Sequence, residues 1–75
     1  MPSLFANLQP RSSYIIVDRR GQTFVGHFVR IVNSNGLPAA EFEHVDQGFG
    51  KPFIPTLRFL ESQVRQISYH PANNM

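Results

Sequence analysis

Apolar and polar residues alternate along most of this chain in short bursts, separated by glycine, asparagine and proline. Ser13 to Asp18 (SYIIVD) is rich in β-branched and aromatic residues and predicts a first strand. The polar stretch Asp18-Arg19-Arg20-Gly21 predicts a turn, where Gly21 can take positive φ. A second strand is expected from Gln22 to Val32 (QTFVGHFVRIV), and its 11 residues are many for one strand. Gly26 near its middle predicts a bulge or sharp bend that lets one strand serve two sheet layers. Phe24 and Phe28 then share one face, and Val25, Val29 and Ile31 share the other, with His27 between them. Both faces are largely apolar. A flat two-layer structure would leave one of them wet, so the pattern predicts a closed barrel, an oligomer, or both. Val25 and Val29 are the candidate oligomer contacts.

Asn33-Ser34-Asn35-Gly36 is a hairpin signal, because Asn-Gly supplies the positive φ angles of tight primed turns. Ala39 to Val45 (AAEFEHV) follows as a strand, with Phe42 inward and Glu41 and Glu43 outward. Asp46 to Pro52 (DQGFGKP) is a loop with two glycines. Pro52 to Thr56 fits a short edge strand, since prolines cannot donate to a ladder. Leu57, Leu60, Val64 and Ile67 recur at helical spacing. One reading is a helix from Thr56 to about Ser68. The other, which the Val, Ile and Tyr content favours, is a helical turn from Thr56 to about Ser62 and a last strand from Gln63 to Tyr69. Residues 1–12 form a lead-in, in which Ser3 can cap a short helix through Leu8 that Pro10 ends; a partly ordered tail is the alternative. Residues 70–75 read as a frayed tail. The expected architecture is therefore mostly β: a small five-stranded SH3-like or Sm-like barrel over residues 13–69, with a short N-terminal helix and a helical turn before the last strand.

Composition narrows the function classes. A chain of 75 residues holds one small domain, and a domain of that size is marginally stable alone. With 41 % hydrophobic residues it can build a core. The absence of cysteine removes disulfides, thiolate metal sites and a Cys nucleophile. No apolar run is long enough to span a membrane, so a soluble cytoplasmic protein is expected. The pI is near 9.7, yet the net charge is only +2. Of the basic residues Arg11, Arg19, Arg20, Arg30, Lys51, Arg58 and Arg65, only Arg19 and Arg20 are adjacent, and self-association would be needed to multiply them into a strong field.

The order of elements, with glycines at 21 and 26, resembles the Sm-like family of small barrels. The family's first motif has apolar alternation, a turn glycine, and a second glycine five residues on within a bent strand. Ile15, Val17, Gly21, Phe24, Gly26, Phe28 and Ile31 fit it. Val64 and Ile67 fit the apolar pair three apart that enters the family's last strand. The resemblance spans about residues 3–69 and implies a self-associating barrel that binds RNA. The family's ligand motifs are not reproduced. Val32 stands where many members carry Asp, and neither the Arg-Gly dipeptide of eukaryotic members nor the Tyr-Lys-His run of the bacterial RNA chaperones is present.

Three constellations are candidate nucleic-acid contacts. Asn33 and Asn35, with Ser34, offer amide and hydroxyl groups to a base edge; hairpin geometry accounts for the same residues. Arg19 and Arg20 at a loop tip can hold phosphate, or are solvated loop charge. Phe49, Lys51 and Phe53 interleave aromatic rings with a cation, which suits stacked single-stranded bases; core or inter-subunit packing is the alternative. Glu41, Glu43, His44 and Asp46 lie close in sequence, but strand alternation divides them between two faces, so they read as a polar surface and no metal is expected. His27, His44 and His70 are dispersed, without a nucleophile elbow or an orienting acid, so neither an enzyme nor a cofactor is expected.

Two functions remain. The first is a non-enzymatic Sm-like barrel that self-associates and binds RNA or single-stranded nucleic acid. The second is an SH3-like module, an adaptor or inhibitor, that grips a protein partner through edge strands and Phe49 and Phe53.

Overall fold

Five strands follow one another along the chain: β1 (Ser13–Asp18), β2 (Thr23–Ser34), β3 (Leu37–Asp46), β4 (Ile54–Leu60) and β5 (Val64–Tyr69), with a 3-10 turn (Glu61–Gln63) before the last. The structure, a computed structural model, describes residues 3–71. All neighbouring strands are antiparallel, in one sheet of order β4-β3-β2-β1-β5.

The sheet is open. The expected barrel closure is not made, because β4 and β5 are its two outer strands and do not pair with each other. The 3-10 turn sets this. Gln63 Oε1 accepts the Leu60 N–H at 2.8 Å, and the Gln63 carbonyl accepts the Arg19 N–H at 3.2 Å. The chain is thereby turned toward the β1–β2 turn, and β5 takes the free side of β1. The expected helical turn is thus present but shorter. Residues 56–60 are strand, with Leu57 opposite Phe42 and Phe59 opposite Ala40. Pro55 is tolerated because β4 is an edge strand.

Register shifts explain which residues face the core. Val25 pairs with Asp46 and His27 with Glu43, so β3 carries one extra residue opposite Gly26. His44 in this bulge has φ 51°. The extra residue inverts the alternation, so that Phe42 and Val45, three apart, are both fully buried. In β2 the extra residue is Val29, between the pairs Phe28–Phe42 and Arg30–Glu41. Beyond it the faces exchange: Ile31 pairs with Ala40, on the side of Phe28 and not on that of Val25 as simple alternation predicts. A third shift, between Val17 and Asp18, lets Val64 and Ile67 both reach the core side from β5.

The core is aromatic. Phe42 makes edge-to-face contacts with Phe28, Phe59 and Tyr14 at centroid distances of 5.6, 6.0 and 6.5 Å, and Phe24 meets Phe59 at 5.3 Å. Ile16, Val45 and Val64 fill the remaining space. Gly26 lets β2 approach β3: a Cβ there would lie 3.0 Å from Val45 Cγ2 and 3.3 Å from Phe42 Cβ.

The lead-in is docked, but the short N-terminal helix is replaced by a turn at residues 4–7, and no α-helix occurs among the described residues. One turn forms because Ser3 Oγ accepts the Phe5 N–H at 3.0 Å and the Ser3 carbonyl accepts the Ala6 N–H at 3.1 Å. It goes no further because Phe5 is drawn into the core and the Gln9 N–H is taken by Tyr14 Oη at 2.7 Å. Of the expected tail, His70 still donates its N–H to the Ser13 carbonyl at 2.9 Å, and residues 72–75 lie outside the described residues. No helix among the described residues is long and apolar enough to cross a membrane.

The close approach at Gly26 makes a prediction. Gly26→Ala overpacks the Val45–Phe42 contact and lowers stability by about 1–3 kcal/mol in urea unfolding. Adding Val45→Ala removes the clashing methyl, so the double variant falls short of the sum of the single losses.

Candidate nucleic-acid interface

Where the sheet fails to close, a groove of about 550 Å³ runs between β4 and the β1–β2 turn. Phe24, Ile54, Leu57 and Phe59 supply its apolar part. Arg19 and Arg20 line it from the β1–β2 turn; Arg58 lines it from β4, with its guanidinium turned to Glu41 on the other face of the sheet. Gln22, Gln47 and Gln63 add amides. A slot with an apolar floor and a pair of cations on one wall is chemically suited to a chain of phosphates bearing flat rings.

The β1–β2 turn is held by its own sequence. Asp18 Oδ1 accepts the N–H groups of Arg20 and Gln22, each at 2.9 Å, and Gly21 has φ 87°. Arg19 is tied to the 3-10 turn, its Nε donating to the Ser62 carbonyl at 3.4 Å. The Arg20 side chain makes no hydrogen bond or ion pair among the described residues and is exposed.

Phe49, Lys51 and Phe53 sit on the β3–β4 loop, between Gln47 and Ile54, which both line the groove. The loop is closed by Gln47 Nε2 donating to the Pro52 carbonyl at 2.8 Å and by the Lys51 N–H donating to the Gly48 carbonyl at 3.2 Å. Phe49 is fully exposed and Phe53 is 62 % exposed, so neither is core. Arg19 and Arg20 therefore share one end of the sheet with this loop.

Asn33 and Asn35 lie at the other end of β2. Asn35 and Gly36, with φ 52° and 85°, form the tight two-residue turn that joins β2 to β3. Asn33 Oδ1 accepts the Gly36 N–H at 2.8 Å. Both residues thus have duties in the hairpin, away from the groove. Val25 and Val29 are half-buried within the single chain.

Alternation in sequence missed an ion-pair cluster on the opposite face of the sheet. Arg58 is on a strand that periodicity assigns to a helical turn. Glu41 is not solvated: its side chain is 7 % exposed, and its carboxylate is shared by Arg30 Nη2 at 3.2 Å and Arg58 Nε at 3.1 Å. The signal that could have found them is charge order. Arg30, Glu41 and Arg58 become direct cross-strand neighbours once the β2–β3–β4 register is known. His27 and His44 meet edge-to-face at 6.3 Å, and His27 Nδ1 is buried without a hydrogen-bond partner. No group of three or more metal-ligating side chains occurs among the described residues.

A second cavity, of about 390 Å³, lies between the lead-in and β5, with Leu4, Leu8, Ile67 and Tyr69 on its walls and no charged side chain lining it.

No protein-family model matches the chain, and neither does any characterised protein or solved structure.

The hairpin assignment is testable. Asn33→Ala removes the bond to Gly36 and lowers stability by about 0.5–1 kcal/mol, seen as a lower urea midpoint at unchanged slope.

Proposed function

We propose that this chain is a non-enzymatic, self-associating β domain of the cytoplasm that binds RNA or single-stranded nucleic acid in the groove beside β4. The observation that carries the reading is the adjacent pair Arg19 and Arg20 beside a slot floored by Phe24 and Phe59. Phosphates reward the guanidinium groups with charge-assisted, bidentate bonds. Unstacked bases reward the apolar floor and the exposed rings of Phe49 and Phe53. Duplexes fit less well, because their bases are already stacked on one another. The two unpaired edges favour self-association. The outer N–H and C=O groups of β4 and β5 can pair between copies, head to tail, in a ring or a filament. A chain without cysteines suits a reducing compartment.

The exposure of Phe49 and Phe53 also favours a protein partner, for which aromatic anchors carry most of the binding energy. The two readings differ in their response to salt.

The test is fluorescence anisotropy of a labelled single-stranded oligouridylate against the full chain over a range of salt. With Arg19, Arg20 and Lys51 each on a phosphate, the logarithm of the association constant falls against the logarithm of salt with slope of about −2. Arg19→Ala with Arg20→Ala brings that slope to roughly −0.7 and weakens binding at least about tenfold at low salt. A salt-independent affinity, or none, overturns the reading. Native mass spectrometry checks the association: an assembly of more than two copies is expected, and a monomer at micromolar concentration removes it.

A further inference from the structure

The β2–β3 hairpin tip carries chemistry that the groove does not use. Asn35 and Gly36 form its two-residue turn, with φ 52° and 85°. Asn35 is the only asparagine in the sequence followed by glycine. It is exposed, as are Gly36, Leu37 and Pro38 after it. Its side chain makes no hydrogen bond among the described residues. The space beside Gly36 is open: nothing lies within 4 Å of where a Cβ would stand.

An asparagine in this setting is chemically labile. The main-chain nitrogen of the next residue, once deprotonated, can add to the asparagine Cγ. The Cγ–Nδ2 bond then breaks, ammonia leaves, and a five-membered succinimide remains. Water opens that ring at either of its carbonyl carbons. One opening gives aspartate. The other gives isoaspartate, whose main chain runs through the former side-chain methylene. The reaction consumes only water and needs no oxidant or reductant. Glycine hinders the attack least, because it has no Cβ to crowd the approaching nitrogen.

A second observation bears on the rate. Asn33 Oδ1 accepts the Gly36 N–H at 2.8 Å. That N–H is the one that must lose its proton before its nitrogen can attack Asn35 Cγ. The hydrogen bond therefore has to break before the reaction begins. One such bond is worth about 1 kcal/mol net, or about fivefold in rate.

We infer that Asn35 is a site of spontaneous deamidation, and that Asn33 slows it by holding the Gly36 N–H. Each conversion adds a negative charge to a chain whose formal net charge is +2. Isoaspartate also lengthens the main chain inside the turn that sets the Ser34–Leu37 register. The tip lies at the end of β2 away from the groove, so the inference stands apart from the proposed function.

The experiment is a time course. The full chain is held at mildly alkaline pH, folded or unfolded in urea, and sampled by trypsin digestion and fragmentation mass spectrometry of the peptide Ile31–Arg58. Asn35 is expected to convert, with isoaspartate in excess of aspartate, while Asn33, which precedes serine, stays intact. Conversion in the folded parent is slower than in the unfolded chain by about fivefold or more. Asn33→Ala raises the folded rate about fivefold and leaves the unfolded rate unchanged. Asn33→Asp keeps an acceptor oxygen for Gly36 and retains the slow folded rate, which separates the hydrogen bond from a general loosening of the hairpin. An intact Asn35 in the folded parent, over a period in which the unfolded chain converts fully, overturns the site. An Asn33→Ala variant that reacts at the parent's rate, or an Asn33→Asp variant as fast as Asn33→Ala, overturns the part given to Asn33.

Discussion

Gly26 is the position on which the rest of this fold turns. A side chain there would strike Val45 and Phe42, so the missing Cβ is what allows β2 to press against β3. That approach coincides with the bulge at His44, and the bulge brings Val45 round to the core beside Phe42. Phe42 then stands at the meeting point of the aromatic edges of Phe28, Phe59 and Tyr14. Each such pair contributes about 0.5–1.5 kcal/mol beyond its buried area. In a domain this small, with little core in reserve, several such contacts through one ring are a large share of the margin between folded and unfolded chain.

The same packing produces the surface. Along β4, Phe59 enters the core against Phe24, and its neighbour Arg58 is thrown to the other face, where it meets Glu41. Bending β2 brings β4 over the first half of the sheet without letting β4 and β5 pair. The remaining gap is the groove. Its apolar floor is thus the unclosed margin of the core, and its cations Arg19 and Arg20 belong to the turn that borders the gap.

Local chemistry was legible in the sequence and long-range register was not. β1 was expected at the residues where it occurs, and the Asn35-Gly36 turn follows from the dihedral needs of a two-residue hairpin, which few other residues meet. The strand after the 3-10 turn was expected within one residue of its start. Residues 56–60 were misread because Leu57, Leu60, Val64 and Ile67 imitate a helical period. The imitation arises because the bulge in β5 adds a residue between Val64 and Ile67, which converts two-residue alternation into a spacing of three. The lead-in, which the sequence leaves between a short helix and a partly ordered tail, forms one turn because its serine caps it and Phe5 is then claimed by tertiary packing. At the candidate site, Arg19 and Arg20 were visible as an adjacent pair. Arg58 and Glu41 were not, because their meaning depends on a pairing across strands 17 residues apart in sequence.

Leaving the sheet open carries a structural cost that the chain meets differently on its two sides. At β5 the lead-in covers the inner face, with Phe5 in the core and Leu8 packed against it, and Glu61 accepts the Leu4 N–H. At β4 no segment among the described residues plays that part, and the strand ends in the groove instead. β4 therefore has two unfilled roles, an unpaired ladder edge and a groove wall. A strand from a second copy that pairs with β4 extends the sheet beside Arg58, and a ligand in the groove contacts the other side chains of that same strand. Under the proposed function, assembly and ligand binding would therefore share one element, the seven residues of β4.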